Sequence, residues 1–80
     1  MAIDRIIALS GLKPSQQGRV VTIKTVNVLD LQKLMQAGVL PDACVKVLHQ
    51  DGSHVLFFTN YKEIAVDHEV AARIYIGVDD

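Results

Sequence analysis

The chain has one cysteine, four aromatic residues (none of them tryptophan), two prolines and no apolar run longer than four residues. Each scarcity excludes something. A lone Cys44 cannot form an internal disulfide, which fits a reducing compartment, and a thiol in a strand-like stretch is expected to serve as a small buried hydrophobe. Runs such as Val55 to Phe58 fall far short of the roughly 20 residues needed to cross a bilayer. Asp4 and Arg5 beside a brief Ile-Ile-Ala-Leu lack the basic start and the length of a secretion signal. The reading is a soluble, cytoplasmic chain without membrane insertion. Basic excess is lacking too. Net charge is −1, and four aromatics without basic interleaving make no stacking platform, so nucleic acid is not an expected partner.

What is present suits one small domain spanning residues 1–80, with its core in 10–78. Half of the 80 residues are hydrophobic and 21% are charged, with no low-complexity tract, so a packed core rather than disorder is expected. At this size about 60% of the unfolded chain's surface can be buried, so the core is small. Residues 1 to 40 carry five Lys/Arg and two Asp, residues 41 to 80 three Lys/Arg and seven acids. In a small barrel the halves interleave, so this asymmetry predicts no surface dipole.

Periodicity orders the elements. Ile3 to Leu9 fits either helical turns or an edge strand, and a short helix is the reading adopted. Gly11 to Gly18 is turn-rich, with Lys13 biased to extended backbone by Pro14. A strand begins near Arg19, with Val21 and Ile23 on one face. Asn27 is a suitable N-cap for a helix, Asp30 suits its positive end, and Val28, Leu31, Leu34 and Met35 form an apolar stripe, of which Leu31 and Leu34 above all are expected to pack in the core. Gln32, Lys33 and Gln36 fall on the solvated side. Gly38 supplies a left-handed helix end with Val39 returning to Leu34, and Pro41 blocks resumption.

Beyond it, Asp51-Gly52 predicts a two-residue type I′ hairpin. That turn would set His49 opposite His54, Val47 opposite Leu56 and Val45 opposite Phe58, with Cys44 on the other face. A turn at Thr59 to Tyr61 leads into Lys-Glu-Ile-Ala-Val. Asp67 would cap one helical turn, and a closing strand would align Ile74, Ile76 and Val78. The fold class is mainly β: a small bent barrel of about five strands, with one inserted helix and a short helical turn before the last strand.

Chemistry is sparse. Directly opposed histidines could approach one metal, so His49 and His54 are the metal candidates, but a third ligand would have to come from Asp51, His68 or elsewhere. Ser10, Ser15, Ser53 and Cys44 have no base in a recognisable arrangement, and the glycines lack the context of a phosphate loop. No catalytic residue and no cofactor is expected, which points to a binding module.

Three stretches, Leu-Lys-Pro-Ser-Gln-Gln-Gly-Arg-Val-Val-Thr-Ile from Leu12, Leu-Gln-Lys-Leu-Met-Gln-Ala-Gly-Val-Leu-Pro from Leu31, and Glu-Ile-Ala-Val through Ala-Ala-Arg-Ile-Tyr-Ile, resemble in order and spacing the ferrous iron transport protein A family over most of residues 10 to 78. The resemblance implies an SH3-like barrel with a helix after its first strand. It departs at Ser15 and at Asp42, where the family usually has glycine, and at Lys33, where many members carry arginine. It implies a cytoplasmic accessory protein of bacterial ferrous iron uptake, acting on the GTP-binding part of the membrane transporter B. The docking surface expected is Lys33, Gln36, Gly38, Leu40 and Pro41. Two alternatives are a detached relative of the SH3-like regulatory domain of iron-dependent repressors, and a weak metal sensor using His49 and His54.

Overall fold

In the computed structural model, which describes residues 5–25 and 27–78, the amino-terminal segment is a strand and not the short helix expected. β1 (Arg5–Ala8) pairs antiparallel with the last strand, β6 (Ile74–Val78), from Arg5↔Val78 to Ala8↔Tyr75. The pairing satisfies an edge of β6 that would otherwise be open, and the β-branched Ile6 and Ile7 suit a pleated surface. A 3-10 turn (Leu9–Gly11) follows and buries Leu9 completely. Ile3, Asp4 and the acidic end Asp79-Asp80 lie outside the described residues.

β2 (Gln17–Ile23), α1 (Val28–Gln36), β3 (Cys44–Gln50), β4 (His54–Thr59), β5 (Lys62–Asp67) and α2 (His68–Ala71) complete the order. The strands form one antiparallel sheet, β1-β6-β2-β3-β4-β5, which does not close. It is the mainly-β, SH3-compatible architecture expected, with β1 as the additional strand. α2 packs on the 3-10 turn and on β4 and β5. The core is one contiguous cluster that includes Leu9, Leu12, Val20, Leu34, Val39, Val45, Val47, Val55, Phe57, Ile74 and Ile76. Ile74, Ile76 and Val78 do share the buried face.

Two faces differ from the expected pattern, each because of a bulge. In β2 the register slips between Val20 and Thr22, so Val20 is fully buried while Val21 and Ile23 are only half-buried. In the β3–β4 hairpin the register slips between Val47 and His49, and the pairs are Gln50↔Val55, His49↔Leu56, Val47↔Phe57 and Lys46↔Phe58. Phe57 and Val55 therefore enter the core in place of Phe58 and Leu56, and Phe58 is exposed.

The turn itself shifts the pairing by two residues, from His49 opposite His54 to His49 opposite Leu56, which leaves the facing unchanged. The Asp51 carboxylate accepts hydrogen bonds from the backbone N–H of Ser53 (2.7 Å) and His54 (2.8 Å), an Asx-type closure that competes with the type I′ geometry. Gly52 accordingly stays out of the left-handed region. That geometry occurs instead at the next turn, where Asn60 (φ 50°) and Tyr61 (φ 61°) connect the pair Thr59↔Lys62. Thr59 is buried, and its hydroxyl donates to the Cys44 carbonyl at 2.6 Å. The Cys44 side chain itself is exposed, contrary to its expected role as a small buried hydrophobe.

Candidate docking surface

α1 begins as its sequence predicts. The Asn27 side-chain oxygen accepts from the N–H of Leu29 (3.0 Å) and Asp30 (3.2 Å), satisfying two of the free donors of the first turn. It also ends as predicted. The Gly38 N–H donates to the Met35 carbonyl at 3.0 Å and the Val39 N–H to the Leu34 carbonyl at 2.9 Å, a complete Schellman closure with Gly38 at φ 91°. Val39 and Leu34 are both buried, so the apolar contact that accompanies this motif anchors the helix end to the core.

Between those ends the apolar stripe is buried only in part. Only Leu34 is buried. Leu31 is half-buried, whereas Val28 (65%), Leu29 (68%) and Met35 (50%) remain exposed. A nine-residue helix lying on a small core has room to bury one narrow line, and the rest of its apolar surface faces outward. The outer face of α1 thus combines Val28, Leu29 and Met35 with the amides of Gln32 and Gln36.

The surface continues past the helix. Leu40, Pro41 and Asp42 are exposed in a tight turn, closed by the Ala43 N–H on the Leu40 carbonyl at 2.9 Å, with Asp42 at φ 74°. Pro41 then Asp42 at positive φ makes this a type II turn. Lys13-Pro14-Ser15-Gln16 repeats it, with the Gln16 N–H on the Lys13 carbonyl at 3.0 Å and Ser15 at φ 71°. The two departures from the family's glycines therefore fall on the two left-handed positions of these turns.

Gly38 draws in a segment that sequence reasoning missed. A Cβ built there would stand 2.8 Å from Asn60 Nδ2, so the β4–β5 turn packs directly on the helix end. The next residue, Tyr61, is 93% exposed. The available signal was the Thr59-to-Tyr61 turn itself, but only the fold brings it beside Gly38. Of the five expected docking residues, Gln36, Leu40 and Pro41 are exposed around this helix end, and Gly38 is half-buried beneath Asn60. Lys33 is exposed on the flank of α1, where with Asp30, Leu34 and Ala37 it borders a groove toward β5.

The histidines do not meet as expected. His49 lies opposite Leu56, and His54 pairs across with Asp67, its Nε2 3.5 Å from Oδ1 in an exposed contact. Asp67 occupies the N-cap position of α2 but makes no side-chain cap there. Among the described residues no cluster of three His, Cys, Asp or Glu side chains could hold a metal ion. The pKa of Asp51 is lowered, because the N–H groups of Ser53 and His54 stabilise its carboxylate. Nor is any helix among the described residues long and apolar enough to cross a membrane.

Comparison with known proteins fits this geometry. The crystal structure of an iron uptake regulatory protein, FeoA, superposes with a TM-score of 0.82 at 24% identity, over 91% of this chain and 97% of that one. A FeoA protein from Chlorobium tepidum gives 0.83 at 21% identity, over 92% and 71%. T. acidophilum IdeR gives 0.84 at 19% identity, and this chain spans 99% of itself but only 37% of that protein. The likenesses establish a shared fold. No curated protein matches in sequence. The model of the FeoA domain covers residues 7–78, nearly the whole chain, and the chain therefore belongs to the FeoA domain family.

Proposed function

We propose that this protein is a small cytoplasmic accessory protein of bacterial ferrous iron uptake that docks on the cytoplasmic GTP-binding part of the ferrous iron transporter B. Membership of the FeoA domain family supplies the iron-uptake context. The observation that supports docking is the outer face of α1, where Val28, Leu29 and Met35 stay at least half exposed although the core is small and in need of apolar area. Leu40, Pro41 and Tyr61 extend that apolar surface, and Lys33 and Gln36 supply a polar rim. An apolar centre with aromatic and amide neighbours is the composition of a protein-binding patch. Gly38 sets the shape of the patch and does not itself offer a side chain.

The test is capture of the transporter's soluble GTP-binding domain by the wild-type chain and by two variants, Lys33→Glu with Gln36→Glu, and Leu29→Ser with Tyr61→Ala. Each side chain is exposed, so the fold should survive, as amide NMR spectra would verify. Binding should weaken at least about tenfold in both variants, the loss of one or two interface anchors. Equal capture by folded variants removes this surface from the proposal.

A further inference from the structure

A second surface lies on the other flank of α1. A groove of about 220 Å³ runs between that helix and β5, bordered by Asp30, Lys33 and Ala37 on one side and by Ile64 to Asp67 on the other. β5 is the last strand of the sheet, and among the described residues nothing pairs with its outer edge. Thr59↔Lys62 flanks a two-residue turn and the β4–β5 ladder runs on without a bulge. In an antiparallel ladder hydrogen-bonded and open pairs alternate, so Thr59↔Lys62, Phe57↔Ile64 and Val55↔Val66 are bonded. Glu63 and Ala65 therefore turn both N–H and C=O away from β4, and Asp67 its N–H. An open edge of this kind is a template for strand addition.

We infer that the β5 edge accepts, as a seventh strand, an extended segment of another protein with the pattern basic–aliphatic–small–aliphatic–basic. The charges decide the occupant. Opposite Glu63 and Asp67, cross-strand pairing favours Lys or Arg, with a residue of any small kind opposite Ala65. The two alternate side chains of the incoming strand turn to the groove floor, which Leu34, Ile64, Val66 and Val70 make apolar. A second copy of this chain is a poor occupant, because antiparallel β5–β5 pairing centred on Ala65 would set Glu63 of one copy against Asp67 of the other. The pattern is symmetric, so either strand direction presents it. The inference stands apart from the transporter docking proposed above, and its test uses no transporter.

The probe is the capped peptide Ser-Lys-Val-Thr-Val-Lys-Ser, titrated into the isotope-labelled full chain, with Ser-Glu-Val-Thr-Val-Glu-Ser as its charge-reversed partner. Saturable amide shifts are expected at Glu63, Ala65 and Asp67 and across the groove at Asp30 and Ala37, with slowed exchange of the Ala65 amide. The acidic peptide should bind about tenfold more weakly or worse. Ala65→Pro removes the outward N–H without breaking a bond to β4 and should abolish binding. Glu63→Lys with Asp67→Lys should reverse the preference between peptides, and it decides the matter if the proline variant fails to fold. Absence of shifts at millimolar peptide, equal binding of both peptides, or shifts confined to another surface overturns the inference. So does concentration-dependent self-association that competes with the peptide, which would make a second copy the occupant.

Discussion

Removing left-handed strain from the two proline turns should stabilise this protein. Ser15 and Asp42 sit at φ 71° and 74°, each the third residue of a type II turn closed by a main-chain bond, to which the first turn adds the Lys13 N–H on Gln16 Oε1 (2.8 Å). For an L-residue that conformation costs roughly 1–2 kcal/mol, and glycine relieves it. Glycine also gives back about 0.4–1 kcal/mol through the larger freedom of the unfolded chain. The difference predicts a gain of about 0.5–1 kcal/mol from Ser15→Gly and from Asp42→Gly. One turn joins the sheet through the Ser15 N–H on the Val47 carbonyl (2.7 Å), the other through the Asp42 N–H on the Val20 carbonyl (2.8 Å). They lie at opposite ends of the β2–β3 pair, so the gains should add, to roughly 5–10 °C in Tm for a domain of this size. Urea unfolding followed by circular dichroism would read both midpoints, with unchanged slopes. Gly38→Ala is the matched control with the opposite sign. It forces a Cβ onto φ 91° and to within 2.8 Å of Asn60 Nδ2, and should lose about 1–2 kcal/mol or more. If both glycine variants unfold at the wild-type midpoint or below it while the control is destabilised, left-handed strain is not what these turns carry.

Two further outcomes follow from the same geometry. Gly18→Ala would place a Cβ 2.4 Å from the Gly77 carbonyl oxygen, a backbone atom held in the β2–β6 ladder, and should cost about 2–3 kcal/mol; a fall in Tm smaller than about 5 °C would contradict the tight approach of those strands. The Asp51 carboxyl titrates below its usual value in the folded chain, so its contribution is fully present above the ordinary carboxylate range and is lost as pH falls through and below about 4. Asp51→Ala should flatten that part of the stability–pH curve, and an unchanged curve would mean that the Asx turn does not close the hairpin.

Local chemistry made much of this protein legible. Asn27, Gly38 and Pro41 act through bonds to their own neighbours, so the start, the closure and the stop of α1 follow from residue type and spacing. Alternation with a period of two located β3, β4, β5 and β6 because half of each strand's side chains must leave water. The order of elements then specified a family whose domain the chain carries.

What the tertiary structure decided is which face of each element the core had room to take. Ile6 and Ile7 became strand because β6 offered an unpaired edge, a partner about 70 residues away that no window around them contains. Bulges at Val21 and Leu48 exchanged Val20 for Val21 and Phe57 for Phe58, and the wider turn closed by the Asp51 carboxylate separated the two histidines whose opposition was the only argument for a metal. The same limited volume left Val28, Leu29 and Met35 outside, and the fold set Asn60 against the helix end. The sequence by itself determined the elements, their caps and the family; a core too small for all the apolar residues determined which of them were left to meet a partner, because that depends on distances between segments that are not neighbours in the chain.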